Sequence, residues 1–355
     1  RRATQSGVTM GFVAISARAG RRAAVLAAAL LTAVLAGCGG GTEQIEPFAP
    51  QRMFALGDEI SVLTNTAPLG RKYTVNGLDD NGQISCALNT GLNTTLLWTQ
   101  QMALAYAFVF AECNPLNLRV NAWTFARPGA KAADFAAQYA AANEAAKAGL
   151  GALGPTDVMT VLYGANDVLE LLPQYLAEPT TDRGNAIVAE LNTRGVKLAQ
   201  ELNAIMTHCG PKFIVSTMPL MGFTPYAQQL ARDRPTQQII WWANEFSNAF
   251  NSGLRTTMIN DGALWGLVEL DALINAGMSN PGTYGLNNIT QAACDPAKAE
   301  MPNCTTNTLV NGASALSWLW ASDVWMGWRA HQYLGGYARG RVTGNPFGNG
   351  CPIAY

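Results

Sequence analysis

The chain has 355 residues, 49% of them hydrophobic and 13% charged, which excludes a disordered chain and leaves enough apolar surface for one large domain. Its formal charge is −1, but the first 37 residues hold five of the 23 basic side chains and no acid, so the remainder carries 18 bases against 24 acids, a net −6. That balance argues against a nucleic-acid partner, which needs basic surface to neutralise phosphates.

Arg18, Arg21 and Arg22 lead into an apolar run ending at Ala36, the charged start and short apolar core of a secretory signal peptide. Leu35-Ala36-Gly37-Cys38 closes it and resembles a bacterial lipobox, whose cysteine is lipidated and becomes the new N-terminus; Gly39-Gly40-Gly41 then reads as a tether. The expected organisation is a signal peptide over 1–37, an anchor and tether over 38–50, a folded domain over 51–345 and a tail over 346–355. The membrane is the expected partner, held through lipid on Cys38. Glycine after that cysteine points, within the resemblance to bacterial lipoproteins, to the outer membrane, on its periplasmic or surface face. Six further cysteines, Cys86, Cys113, Cys209, Cys294, Cys304 and Cys351, suggest disulfides in an exported protein, with Cys294 and Cys304 as the candidate local pair. No CxxC spacing and only two histidines accompany them, so neither a metal site nor a cofactor is expected.

Met53 to Leu56 is an apolar run that stops on Gly57-Asp58 and predicts a first strand delivered to a ligand-binding edge. Residues 66–96 read as a polar insertion with a hairpin around Tyr73-Thr74-Val75, turned at Asn76-Gly77 and Asn81-Gly82. Trp98 to Phe110 reads as a helix, Leu118 to Thr124 as a second strand and Ala132 to Lys147 as an alanine-rich helix. Val158 to Tyr163 is a near-continuous apolar strand of the doubly covered kind, ending at Gly164-Ala165-Asn166-Asp167. A helix over Asn185–Met206, a strand over Lys212–Met218, a helix over Gln237–Met258 and a strand over Ala263–Leu270 follow, and Trp318 to Tyr337 reads as helical in its second half. This alternation implies a three-layer α/β/α domain around a mainly parallel, five-stranded sheet of flavodoxin-like type. Gly149-Leu150-Gly151-Ala152-Leu153-Gly154 satisfies GxGxxG but ends a helix and precedes a strand, the reverse of a dinucleotide site, and GxSxG is absent.

Ordered blocks along this frame resemble the GDSL/SGNH ester hydrolases. They are Phe54-Ala55-Leu56-Gly57-Asp58-Glu59, Gly164-Ala165-Asn166-Asp167, Met218-Pro219-Leu220 through Thr224-Pro225, and Tyr284-Gly285-Leu286-Asn287-Asn288-Ile289-Thr290, the last similar to a stretch of the plant-like and autotransporter-like branch. The resemblance spans about Phe54 to Val342. It implies that Asn166 and the Gly129 N–H stand where the family's oxyanion donors stand, and Pro128 beside Gly129 has no N–H to add. It also places Glu59 at the nucleophilic serine, Ser322 at the catalytic acid and Trp325 at the general-base histidine. With nucleophile, acid and base all replaced, the expectation is a degenerate member with a binding or envelope role, since the three act as a unit.

The alternative is an active esterase or lipase working through a non-standard site. Asp323, one residue past the acid position, and His331, six past Trp325, are its supporting candidates, while Ser61 reads as packing and His208 as a helix-end cation. Asp58, Glu59, Asp167 and Asp323 gathered at one mouth would suit acid–base work or a hard cation, although Asp58 and Asp167 sit in blocks that mainly hold the site together. Trp123, Trp325 and Trp328 read as core or as walls for an acyl ester or glycan ligand. The sharpest expectation is that the Glu59 carboxylate itself occupies the oxyanion position, bonded to Asn166 and to the Gly129 N–H.

Overall fold

The computed structural model describes residues 47–64, 70–86, 96–149 and 151–351; the expected signal peptide, the Cys38 anchor and most of the tether lie outside these residues. In chain order the described elements are β1 (Arg52–Gly57), β2 (Gly77–Leu78), β3 (Ile84–Ser85), α1 (Trp98–Leu104), β4 (Ala122–Thr124), α2 (Phe135–Gly149), β5 (Asp157–Leu162), α3 (Ala165–Ala177) and α4 (Thr181–Met206). They continue with β6 (Lys212–Ser216), α5 (Pro225–Asp233), α6 (Ile239–Thr257), β7 (Trp265–Val268), α7 (Leu270–Ser279), β8 (Asn288–Ala292), β9 (Trp318–Trp320) and α8 (Trp328–Gly344).

The main sheet has five strands in the order β4-β1-β5-β6-β7, every pairing parallel. Numbered within the sheet that order is 2-1-3-4-5, the flavodoxin-like doubly wound arrangement, whose ligand crevice opens at the carboxyl ends where the winding reverses beside the first strand. β1, β5 and β6 are buried almost throughout, as a sheet covered on both faces requires. The α4 and α6 helices pack together, α1 packs on α8, and α8 lies against β7 and β6. The three-layer α/β/α architecture read from the alternation is the one formed.

Several local expectations are corrected. The hairpin lies at β2 and β3, beyond Tyr73-Thr74-Val75, with its turn at Asn81-Gly82; Asn76 instead spends its side chain on the Lys72 N–H and the carbonyls of Pro302 and Cys304. The α1 helix stops at Leu104, because Ala107 takes a left-handed backbone that ends it. The α3 helix runs through Pro173, and α5 opens on Pro225 at its first position under a Thr224 cap; neither helix is among those expected from the sequence. The α7 helix, starting two residues after β7, carries no separating loop signal. Trp318–Trp320 is a short strand pairing β8 before α8 begins.

Three disulfides join Cys86 to Cys113, Cys209 to Cys351 and Cys294 to Cys304, the last being the expected local pair. The segment read as a tail is fastened down through residue 351: Phe347 is buried against Phe48, Asn349 accepts from the Ala49 N–H, and Cys351 is bonded to Cys209. No helix among the described residues is long and apolar enough to cross a membrane.

Candidate functional site

The site is built on the carboxyl ends of three adjacent strands, β4, β1 and β5. At the end of β1, Gly57 has φ +144°, and a Cβ there would meet the Leu162 carbonyl of β5 at 2.3 Å, so only glycine lets the strand ends approach. Gln138, buried in α2, clamps this peptide from both sides: it accepts from the Gly57 N–H at 2.9 Å and donates to the Gly57 carbonyl at 3.0 Å. The Tyr163 hydroxyl donates to the same Gln138 oxygen at 2.7 Å. Asp58 then caps a single turn of 3₁₀ helix, Glu59–Ser61, its Oδ1 accepting from the Ile60 N–H at 3.0 Å.

That turn aims Glu59 across the strand ends. One carboxylate oxygen accepts from the Gly129 N–H at 2.8 Å and the other from Asn166 Nδ2 at 2.8 Å. The two donors come from different segments, one in the loop after β4 and one in the first turn of α3. Asn166 is itself steadied by donating to the Ala130 carbonyl at 3.0 Å, so its amide bridges the two segments. Glu59 is only 7% exposed, and its carboxylate replaces lost water with two fixed donors. The bonding expected from the sequence is therefore the bonding observed.

The neighbouring acids hold the frame. Asp58 is fully buried, and its Oδ2 has no hydrogen-bond partner. Burial, and then the charge of the adjacent Glu59, push its pKa well above the ordinary carboxylate range. Asp167 accepts from the Ala132 N–H at 2.9 Å and from Arg194 at 3.1 Å, pinning the chain just beyond Gly129. Burial raises it too, opposed by those same two partners. Asp58 and Asp167 thus belong to the Glu59 neighbourhood as supports, whereas Asp323 is exposed and gives its carbonyl to the Tyr226 N–H. Among the described residues no three His, Cys, Asp or Glu side chains are grouped to hold a metal ion.

The acid and base positions are occupied by packing groups. Ser322 Oγ accepts from the Val324 and Trp325 N–H groups and closes a tight turn, while Trp325 is 9% exposed in the core. No hydrogen bond joins Ser322, Asp323 or Trp325 to Glu59, Asn166 or Gly129. His331 is fully buried in α8 and accepts at Nδ1 from the Trp98 N–H at 3.3 Å. Burial, with the Lys72 charge next, lowers it to about 3, so it is neutral at physiological pH and serves the α1–α8 contact. Ser61 is buried and accepts from Trp98 Nε1 at 3.1 Å, and His208 meets the Ala204 carbonyl near the end of α4. Trp123 stacks on Phe54 with ring centroids 5.2 Å apart, and Trp328 lies under the Arg329 guanidinium. Trp325, by contrast, walls a cavity of about 460 Å³ together with Ser322 and Asp323.

Two contributors escaped the sequence reading. Gln138 was one polar residue in an alanine-rich helix, and nothing local marks which helix face meets Gly57. Tyr73, in the insertion, has its phenol raised by burial and then by the Glu59 charge, a proximity that only the fold creates.

Fold and site together define a doubly wound α/β protein with a backbone N–H and a side-chain amide converging at its switch point, both bonded to its own glutamate. Among solved structures the chain is similar to the acetylxylan esterase Axe2 from Geobacillus stearothermophilus, at 13% identity over 84% of this chain and 96% of that chain, with TM-score 0.38. It is also similar to a lipase/acylhydrolase from Enterococcus faecalis, at 15% identity over 82% and 96% with TM-score 0.37, and to LAE5, an alpha/beta hydrolase enzyme from the metagenome of Lake Arreo, Spain, at 14% identity over 83% and 96% with TM-score 0.35. No family model matches the chain. No curated protein matches it in sequence.

Proposed function

We propose that this chain is an exported, lipid-anchored protein built on an ester-hydrolase scaffold, whose oxyanion site is filled by its own Glu59 and whose role is binding or envelope structure rather than turnover. The supporting observation is the pair of bonds from Gly129 and Asn166 to the two Glu59 oxygens. An ester hydrolase needs those donors free to receive the oxygen of a tetrahedral intermediate, where each is worth about 2.7–4 kcal/mol to the transition state. Here a negative side chain takes both. The remaining requirements also fail, since Ser61 is sealed under Trp98 and the buried, neutral His331 has no hydrogen bond to any site residue. Cys38 as the lipid attachment and an acyl ester or glycan as the ligand belong to the same proposal.

The deciding experiment is hydrolysis of short-chain chromogenic esters by the purified chain beside its Glu59→Ala variant. The expected result is no turnover that depends on Glu59, in either protein. Esterase activity abolished by Glu59→Ala would establish the alternative, an active hydrolase working through a non-standard site. Export and lipidation are read separately: Cys38→Ser should move the protein from the membrane fraction to the soluble fraction.

A further inference from the structure

A second cleft lies away from Glu59, at the other edge of the sheet. It has a volume of about 530 Å³ and is walled by the carboxyl end of β7, by α7 and by α8, with β5 and β6 intervening between it and β1. Its rim carries two phenol rings. Tyr337 is 49% exposed, and Tyr284 is fixed edge-to-face on Tyr333, centroids 5.1 Å apart at 72°. Its polar end carries one acid and one base already oriented by the protein: Glu269 is held by Arg255 at 3.2 Å, and Arg341 is tied through Nε to the Leu267 carbonyl at 2.7 Å.

The floor is kept low by Gly336 and Gly340, one turn apart on α8. A Cβ at either would meet nothing within 4 Å, whereas at their neighbour Gly335 it would strike Gln101 at 2.4 Å. Gly335 is thus explained by the α1–α8 contact. Gly336 and Gly340 weaken the helix relative to alanine with no packing in return, and their missing side chains leave the cleft open.

We propose that this cleft binds a neutral oligosaccharide, with one sugar ring laid on Tyr337 or Tyr284 and its hydroxyls bonded to Glu269 and Arg341. A carboxylate and a guanidinium at one end disfavour a purely apolar ligand, and each repels one sign of charge. Aromatic walls favour a ligand with an apolar C–H face. A pyranose combines an apolar face with an edge of hydroxyls that both donate and accept. The site is independent of the Glu59 reading.

The test is calorimetric titration of the purified full chain with xylotriose, cellotriose and chitotriose. The expected result is saturable binding of at least one of them, weakened at least about tenfold by Tyr337→Ala and by Gly340→Leu. Gly344→Ala, on the same helix outside the cleft, leaves the affinity unchanged. Leucine is a strong helix former, and melting by circular dichroism checks that Gly340→Leu is folded. Absence of saturable binding to all three sugars, or binding indifferent to both Tyr337→Ala and Gly340→Leu, overturns the proposal. Binding lost in Glu59→Ala but kept in Tyr337→Ala would move the sugar to the first site and overturn the cleft while leaving the scaffold reading standing.

Discussion

At Glu59 a single side chain joins three strand ends, because its two oxygens draw on donors 70 and 107 residues further along the chain. Glu59→Gln presents an amide N–H₂ to one of those donors and forfeits one charge-assisted bond. It should lower stability by about 1–3 kcal/mol in urea unfolding. An unchanged midpoint would mean that the carboxylate does not hold the segments that carry the donors. Glu112 tests burial separately. One of its oxygens accepts from the Thr124 N–H at 3.2 Å and the other is buried without a partner, and burial pushes its pKa up to about 7. A carboxyl raised in the folded state gives stability that is fully present below its ordinary value of 4.5 and is lost as pH rises through about 7. Glu112→Gln, which keeps an acceptor and does not titrate, should flatten the fall in stability across that window. Unfolding midpoints measured at stepped pH check this, and parallel slopes for the two proteins would refute it.

Among the helices, the long α4 and α6 pack with their backbones close together. A Cβ at Gly195 would lie 2.1 Å from the Phe250 carbonyl, and one at Gly253 would lie 2.2 Å from the Asn192 carbonyl, so each glycine is the gap into which the other backbone fits. Gly195→Ala should cost about 1–3 kcal/mol by overpacking, read as a lowered thermal midpoint. Both long helices were legible in the sequence because their apolar residues recur over many turns. The α3, α5 and α7 helices were not. Pro173 and Pro225 are punctuation in one dimension, and whether a proline ends, kinks or opens a helix depends on what its neighbours bury. Trp318–Trp320 reads equally as strand or helix by composition, and pairing with β8 decides for strand.

For the whole molecule, the disulfides rank by the loops they close. Cys209–Cys351 spans 142 residues and Cys294–Cys304 spans 10, so the chain-entropy argument assigns the former about 4–5 kcal/mol and the latter distinctly less. Replacing both cysteines of each pair by serine should reproduce that order in chemical denaturation; the reverse order would show that the short bridge governs the packing of the β8–β9 region. The sequence by itself determined the alternation of strands and helices, the five-stranded parallel frame, the strand ends that carry Glu59, Gly129 and Asn166, and the short spacing that made Cys294 and Cys304 the candidate pair. Each is written in periodicity, block order or short spacing, which are local properties of a chain. Tertiary structure alone decided that Gln138 clamps Gly57, that His331 is sealed between α1 and α8, and that Gly336 and Gly340 floor an open cleft. Those outcomes depend on which faces of distant elements are pressed together, and a helix face acquires its partner only when the strand order has set its neighbours.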